Sequence, residues 1–271
     1  MSPRLAGMAL ASLVVVCAHP STLLARQAEG TSRELVTDRP DFTESSTVVG
    51  RGVWQLESGF SFESDGRGTD RARAITTPQV LLRLGLSDWT ELRLGSDGLV
   101  SEQLPGVARH TGAADLDVAA KIELAHADSV GFDLALIPSV SLPTGSAGVS
   151  SDRVDTGVKF TWSRDLARGF AVSGNLNTAA LGDASGQFAQ HSMSVSLARD
   201  LVAGFGGYWE VYGFSALERG GTPAWTFNTG LTHPLGPDAQ LDVTVGRGLS
   251  AAAPDYFISG GISVRGLWSR R

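Results

Sequence analysis

From Tyr256 to Trp268 the chain alternates with a period of two. Tyr256, Ile258, Gly260, Ile262, Val264, Gly266 and Trp268 share one side, and Phe257, Ser259, Gly261, Ser263, Arg265 and Leu267 share the other. Successive side chains of a strand point to opposite faces, so this stretch carries an apolar stripe ended by aromatics and a mostly polar stripe behind it. Such a strand suits lipid on one face and a wet interior on the other.

Eleven more segments keep the same period: 52–63, 73–86, 89–97, 113–124, 130–142, 154–164, 169–179, 188–199, 207–217, 224–235 and 240–248. In 113–124, Ala114, Leu116, Val118, Ala120, Ile122 and Leu124 oppose Asp115, Asp117, Lys121 and Glu123. In 130–142 the apolar side is Val130, Phe132, Leu134, Leu136, Val140 and Leu142. Segment 207–217 is ambiguous, because Tyr208, Tyr212 and Phe214 share the face of Glu210. A soluble β-sandwich shows the same alternation with its apolar face turned inward. Context has to separate the two.

Export is the first piece of context. Arg4 precedes a mostly apolar run from Leu5 to Ala18 that breaks at His19-Pro20. As a helix this run would reach about 21 Å, short of a roughly 30 Å hydrocarbon core. It reads as a signal peptide, residues 1–25, with cleavage after Ala25 favoured and Ala18 the alternative. Val16 opposes a lipid anchor on Cys17, the only cysteine, so the mature chain has no disulfide framework. No later run of 18 apolar residues provides a membrane helix. Loss of Arg4 leaves 21 Lys and Arg against 28 Asp and Glu, which opposes nucleic-acid binding.

Loops and tryptophans supply the rest. Connections near Ser87-Asp88, His126–Ser129, Asp165–Arg168, Asp200–Gly206 and Gly236–Ala239 are short or compact. Those at 64–72, 98–112, 143–153, 180–187 and 249–255 are mostly longer and richer in Gly, Ser and charge. Short periplasmic turns and long outer loops are expected of an outer-membrane barrel. On that topology Trp54, Trp89, Trp162, Trp209 and Trp268 fall at periplasmic strand ends, with Trp225 and Tyr256 at the outer end. Indole rings favour such interfaces, although Trp89 has inward parity and its ring is expected in the turn. The expected fold is all-β: a transmembrane antiparallel up-and-down β-barrel of outer-membrane type with twelve strands over 52–268. Both termini are then periplasmic, and 26–51 is a periplasmic N-terminal segment with the option of plugging the lumen.

The inward parity predicts a pore lining of Glu57, Arg83, Glu91, Arg93, Asp115, Asp117, Lys121, Glu123, Asp155, Lys159, Glu210, Asp242 and Arg265, with Glu63 and Asp133 also inward. Acids outnumber bases, favouring cations in an open pore; alternatively the charges pair across a filled interior. Asp38, Arg39, Asp41 and Glu44 set four charges within seven residues around the stiff Pro40. They read either as a plug at the mouth, with Arg39 pairing an inward carboxylate, or as a solvated lead-in that aids assembly.

Catalytic and metal signals are thin. His110, His126, His191 and His233 have no metal-ligand spacing, and His191 faces opposite to Ser192 and Ser194. Neither Leu142-Pro143-Thr144-Gly145 nor Gly145-Ser146-Ala147-Gly148 completes a sortase signal or a phosphate loop. No enzyme, catalytic residue, metal or cofactor is expected.

The run Thr37–Ser46 together with Gln55–Phe60 resembles the opening of the bacterial family named Putative MetA-pathway of phenol degradation. Further similar stretches are Gly112–Lys121, Pro138–Gly145, Leu241-Asp242 through Gly246–Leu249, and Pro254–Phe257 with Gly261–Ser263. Here Ser269-Arg270-Arg271 follow Trp268, where many relatives end on an aromatic residue. The resemblance implies an outer-membrane barrel, labelled a transporter, with aromatic compounds as solutes by genomic context only. The expected function is passive passage of small solutes. Its rival is a closed structural or interaction barrel whose loops or N-terminal segment bind a partner. Expected partners are outer-membrane lipid, a small-molecule solute and the barrel assembly machinery.

Overall fold

The computed structural model describes residues 34–66 and 68–268. The signal-peptide expectation for 1–25, the start of the 26–51 segment and the tail after Trp268 fall outside them. The strands are β1 (Val53–Asp65), β2 (Ala72–Gly85), β3 (Thr90–Ser96), β4 (Leu99–Gln103), β5 (His110–Ala113), β6 (Leu116–Ala125) and β7 (Asp133–Leu142). They continue as β8 (Asp155–Asp165), β9 (Phe170–Asp183), β10 (Gly186–Asp200), β11 (Gly206–Phe214), β12 (Ala224–Pro234), β13 (Ala239–Gly248) and β14 (Tyr256–Leu267).

All pairings are antiparallel, and β1 bonds to both β2 and β14, which closes the sheet. Closure leaves no open sheet edge in the membrane, a condition lipid imposes because it cannot hydrogen-bond a bare edge. Fourteen strands make twelve staves. β3 runs beside Val80–Gly85 of β2 and β4 beside Arg73–Thr77, so together they fill one position; β5 and β6 fill the next. The interruption has a cause in β2. Pro78 cannot donate to the ladder, and the β1–β2 register shifts beside it, between Gly59 and Ser61. Opposite Pro78, Gly98 turns with φ +65°, where a side chain would meet the Pro78 carbonyl at 2.1 Å.

Two sequence expectations need correction. Residues 98–112 are not wholly a loop: β4 and β5 extend the barrel because the long β2 offers β4 a ladder and β4 in turn pairs with β5. Val130 and Phe132 precede the strand rather than belong to it. Ala127–Val130 forms one helical turn, α1, stopped by Gly131 at φ +83°, and Asp133 accepts the Ala127 N–H at 3.0 Å.

Side-chain direction separates the barrel from a sandwich. Along β10, Met193, Val195 and Leu197 are exposed, while Ser192, Ser194 and Ser196 are buried. On β13, Leu241, Val243 and Val245 point out and Asp242 and Thr244 point in. An outer surface of Val, Leu and Ile around an interior of Ser, Thr, Glu and Arg is stable only where the outside is hydrocarbon. Trp54, Trp162, Trp209 and Trp268 stand at the short-turn end, Trp225 and Tyr256 at the long-loop end, and Trp89 lies exposed in its turn. Trp54, Trp162 and Trp225 each lie over a directly paired glycine, Gly266, Gly174 and Gly213. The missing side chain lets the indole lie flat across the strand, as aromatic rescue of a glycine requires.

Val195 lies mid-strand on the outer face. Val195→Arg is expected to destabilise the refolded barrel in lipid vesicles by about 2–4 kcal/mol, the cost of a cation near the bilayer midplane. Unchanged denaturant unfolding would place that face outside hydrocarbon.

Candidate functional site: a segment across the barrel interior

Residues 37–49 have no regular secondary structure and are nearly all buried. They lie inside the short-turn half of the barrel, touching side chains from β1, β2, β3, β6, β8, β10, β11 and β13. Irregular backbone at this depth leaves amide N–H groups that no ladder satisfies. Wall carboxylates satisfy them. Glu57 accepts from the N–H groups of Asp38 and Arg39 at 2.9–3.0 Å, and Glu210 from those of Phe42 and Thr43 at 2.7 Å. Glu123 accepts from Val48 and Glu91 from Val49, at 2.7 and 2.8 Å.

Asp38 is the hub. Its carboxylate meets Lys121 at 3.0 Å, Arg83 at 3.4 Å and Arg93 in closer contact, and accepts the Ser45 N–H at 3.0 Å. The last bond folds the segment back on itself. Burial alone would raise the Asp38 carboxyl; the surrounding Arg83, Arg93 and Lys121 outweigh it and hold it well below the usual carboxylate value. Glu44 is lowered too, with burial opposed by Lys159 and Arg93, both of which it contacts.

Arg39 makes the second anchor. Its Nη2 lies 3.0 Å from Asp242 Oδ1 and its Nε 3.2 Å from Oδ2, a fork-on-fork pair, with Ser259 Oγ also at 3.0 Å. The guanidinium fits because Gly59 and Gly261 face each other across β1 and β14. A Cβ on either would fall within 2.5 Å of Arg39 atoms. Pro40 delivers its carbonyl to Thr244, and Asp41 accepts from Ser196 Oγ at 2.6 Å.

The wall residues expected to line a pore therefore divide. Glu57, Arg83, Glu91, Arg93, Lys121, Glu123, Lys159, Glu210 and Asp242 all bind the segment, and Arg83 also pairs Glu91 at 2.8 Å and Glu57 at 3.3 Å. Asp115, Asp117 and Asp155 lie above it. Asp115 fastens the loop after β7 through Gly145, Ser150 and Ser151, and Asp155 accepts the Gly182 N–H. Arg265 sits at the short-turn rim against Asp238, 2.8 Å away. Above the segment, toward the long loops, lies a cavity of about 510 Å³. Seven acids line it, Asp97, Glu102, Asp115, Asp117, Asp155, Asp183 and Glu218, against Lys159 and Arg219. Arg219 is paired to Asp183 at 2.8 Å.

The inward parity of Asn175, Asn177, Ser192 and Ser194 marks them as neutral hydrogen-bonding lining, and Ser194 does contact Thr43. Sequence reasoning missed the other neutral contacts: Thr43, Ser45, Ser196, Asn228 and the Gly59/Gly261 pair. It also missed the Phe42 ring, stacked on Tyr212. The shared parity of Tyr212, Phe214 and Glu210 was the available signal: a strand with aromatics on its wet face has something inside to hold. Among the described residues no cluster of three or more His, Cys, Asp or Glu could hold a metal. His110, His126, His191 and His233 sit on separate elements.

A family profile described as Putative MetA-pathway of phenol degradation matches residues 37–266, the segment and the barrel together. Among solved structures, the NanC porin superposes with a TM-score of 0.52 at 11% identity, covering 78% of this chain and 98% of that one. The KdgM porin in complex with disordered oligogalacturonate gives 0.50 at 9% identity, with the same coverages. At such identities the likeness is one of fold. No curated protein matches the chain.

Two outcomes follow for the segment. Arg39→Leu leaves Asp242 without its cation and should weaken docking by at least about 2 kcal/mol, read as faster proteolysis within 34–49. Because Asp38 and Glu44 titrate below their free values when docked, their charges favour docking above about pH 4 and lose that effect as pH falls through the lowered values. The segment should resist protease at pH 7 and become cleavable at acid pH; equal resistance at pH 7 and pH 3 would contradict this.

Proposed function

This chain belongs to the Putative MetA-pathway of phenol degradation family, and from that premise we propose that it is a passive outer-membrane channel gated by residues 37–49. Both termini then face the periplasm, the short-turn side, and the barrel assembly machinery inserts the chain. The family description makes aromatic compounds the first solutes to test.

One observation carries the reading. Apart from the aromatic contacts of Phe42 with Tyr212 and Phe214, the segment meets a polar wall: Gln55, Glu57, Lys121, Thr161, Asn175, Ser194, Ser196, Asn228, Thr244 and Ser263 are all buried there. A wall of that kind can exchange the segment for water at little cost per bond. An apolar interior could not. Direct wall pairs such as Arg83–Glu91 support the rival reading, a permanently filled barrel.

Planar-bilayer recording separates the two. Deleting residues 35–49 should give steady conductance steps larger than those of the intact protein, with a reversal potential favouring potassium over chloride because the vestibule is acidic. A disulfide between cysteines placed at Asp41 and Ser196 should suppress intact-protein conductance until reduced. Silence from the deletion variant would support the filled barrel; anion preference would refute the vestibule as the selectivity element.

A further inference from the structure

The ring of Phe42 occupies a built slot on the lumen wall. It stacks on Tyr212 with centroids 4.5 Å apart and planes 7° from parallel, and meets Phe214 edge-on at 5.3 Å. Tyr212 and Phe214 are perpendicular to one another, so they form two walls of a corner. Two residues down the same face of β11, Glu210 Oε2 takes the Phe42 N–H at 2.7 Å. Phe42 is thus held at both ends of one covalent unit: a benzene ring, two saturated carbons and an N–H donor.

Glu210 differs from the other carboxylates that bind the segment. Asp38, Glu44, Glu57, Glu91 and Asp242 each have an Arg or Lys within 4 Å, and Glu123 has the His126 imidazole at 3.6 Å. Glu210 has no Arg, Lys or His that close among the described residues. Its four contacts are the amides of Phe42 and Thr43, the Thr43 hydroxyl and the Asn228 amide, all neutral donors at 2.6–2.7 Å. Neutral donors offer a carboxylate no counter-charge, and a cationic donor would bind it more strongly than these do.

The slot also adjoins the outer cavity. Ser192, paired directly with Phe214, lines that cavity, and Ser194, paired with Tyr212, contacts Thr43 of the segment. A solute arriving through the acidic vestibule reaches the aromatic corner before it reaches Asp38.

We infer that the Tyr212–Phe214–Glu210 slot is a binding site for small cationic arylethylamines, molecules with the outline of Phe42, and that Phe42 is an intramolecular competitor for it. Resting on the gated-channel reading above, the inference adds regulation. The solute takes the ring position and places an ammonium on Glu210, the Phe42 and Thr43 anchors are lost, and the segment is loosened at its middle.

The test uses the refolded full-length protein, with 2-phenylethylamine as probe and 2-cyclohexylethylamine and 2-phenylethanol as matched controls. Calorimetry in detergent should show the probe binding Phe42→Ala at least about tenfold more tightly than the intact protein, since the tethered ring no longer competes. Each control should bind Phe42→Ala roughly tenfold more weakly than the probe. Glu210→Gln in the Phe42→Ala background should remove the preference for amine over alcohol, and Tyr212→Leu that for phenyl over cyclohexyl. Folding of each variant is checked by its β-sheet circular dichroism. No binding to folded Phe42→Ala, equal binding of all three probes, or an amine preference that survives Glu210→Gln would overturn the site. Bilayer current is the separate readout for the channel: binding with silence in every variant rejects the channel and keeps the slot, and current without probe discrimination does the reverse.

Discussion

The bond on which the interior depends joins a wall carboxylate to an unpaired backbone amide. A strand inside a closed sheet satisfies its own N–H groups, but residues 37–49 have no ladder partner. They can remain within the barrel only because Glu57, Glu210, Glu123 and Glu91 project inward at the heights where amides need acceptors. These four acids come from four different staves, three of them close together on β1, β3 and β6 and the fourth across the barrel on β11. The cations follow from the acids: Arg83 and Arg93 bridge wall and segment carboxylates, and Lys121 neutralises Asp38, so that no buried charge in the cluster stands without hydrogen bonds.

Under the proposed gating, this arrangement would tie selectivity to the state of the segment. The acids that would make an open lumen attractive to cations are the groups that hold the segment in place. Cations entering from the vestibule would meet them as competitors for the same oxygens. Glu210 is the place where that competition is least contested, since only neutral donors hold it. Asp38 is where it is most contested. The segment is therefore held unevenly, by ion pairs at Asp38 and Arg39 and by neutral donors and a ring stack around Phe42.

Much of the barrel could be read along the chain. Twelve alternating segments correspond to twelve staves, and in 113–124 and 256–268 the exposed Leu116, Leu124, Tyr256, Ile258 and Ile262 lie on the face assigned to lipid. The period of two is local, so each strand declares its own faces. The break at Asp97-Gly98 was hidden because its cause, Pro78, lies on another stave and acts through the β1–β2 register shift. Phe132 was misplaced for a simpler reason: its parity fits the strand, and only the left-handed Gly131 before it ends the helical turn.

By itself the sequence determined that polar and apolar side chains alternate, that loops alternate in length, and that four charges cluster around Pro40. Those properties are carried by neighbours in the chain. Only the tertiary structure decided that Arg39 meets Asp242, 203 positions away, that Gly59 and Gly261 make room for it, and that Phe42 lies on Tyr212. Such partners come together because the sheet closes, and closure sets which inward side chains share a height across the lumen. That relation exists between staves, and no local pattern encodes it.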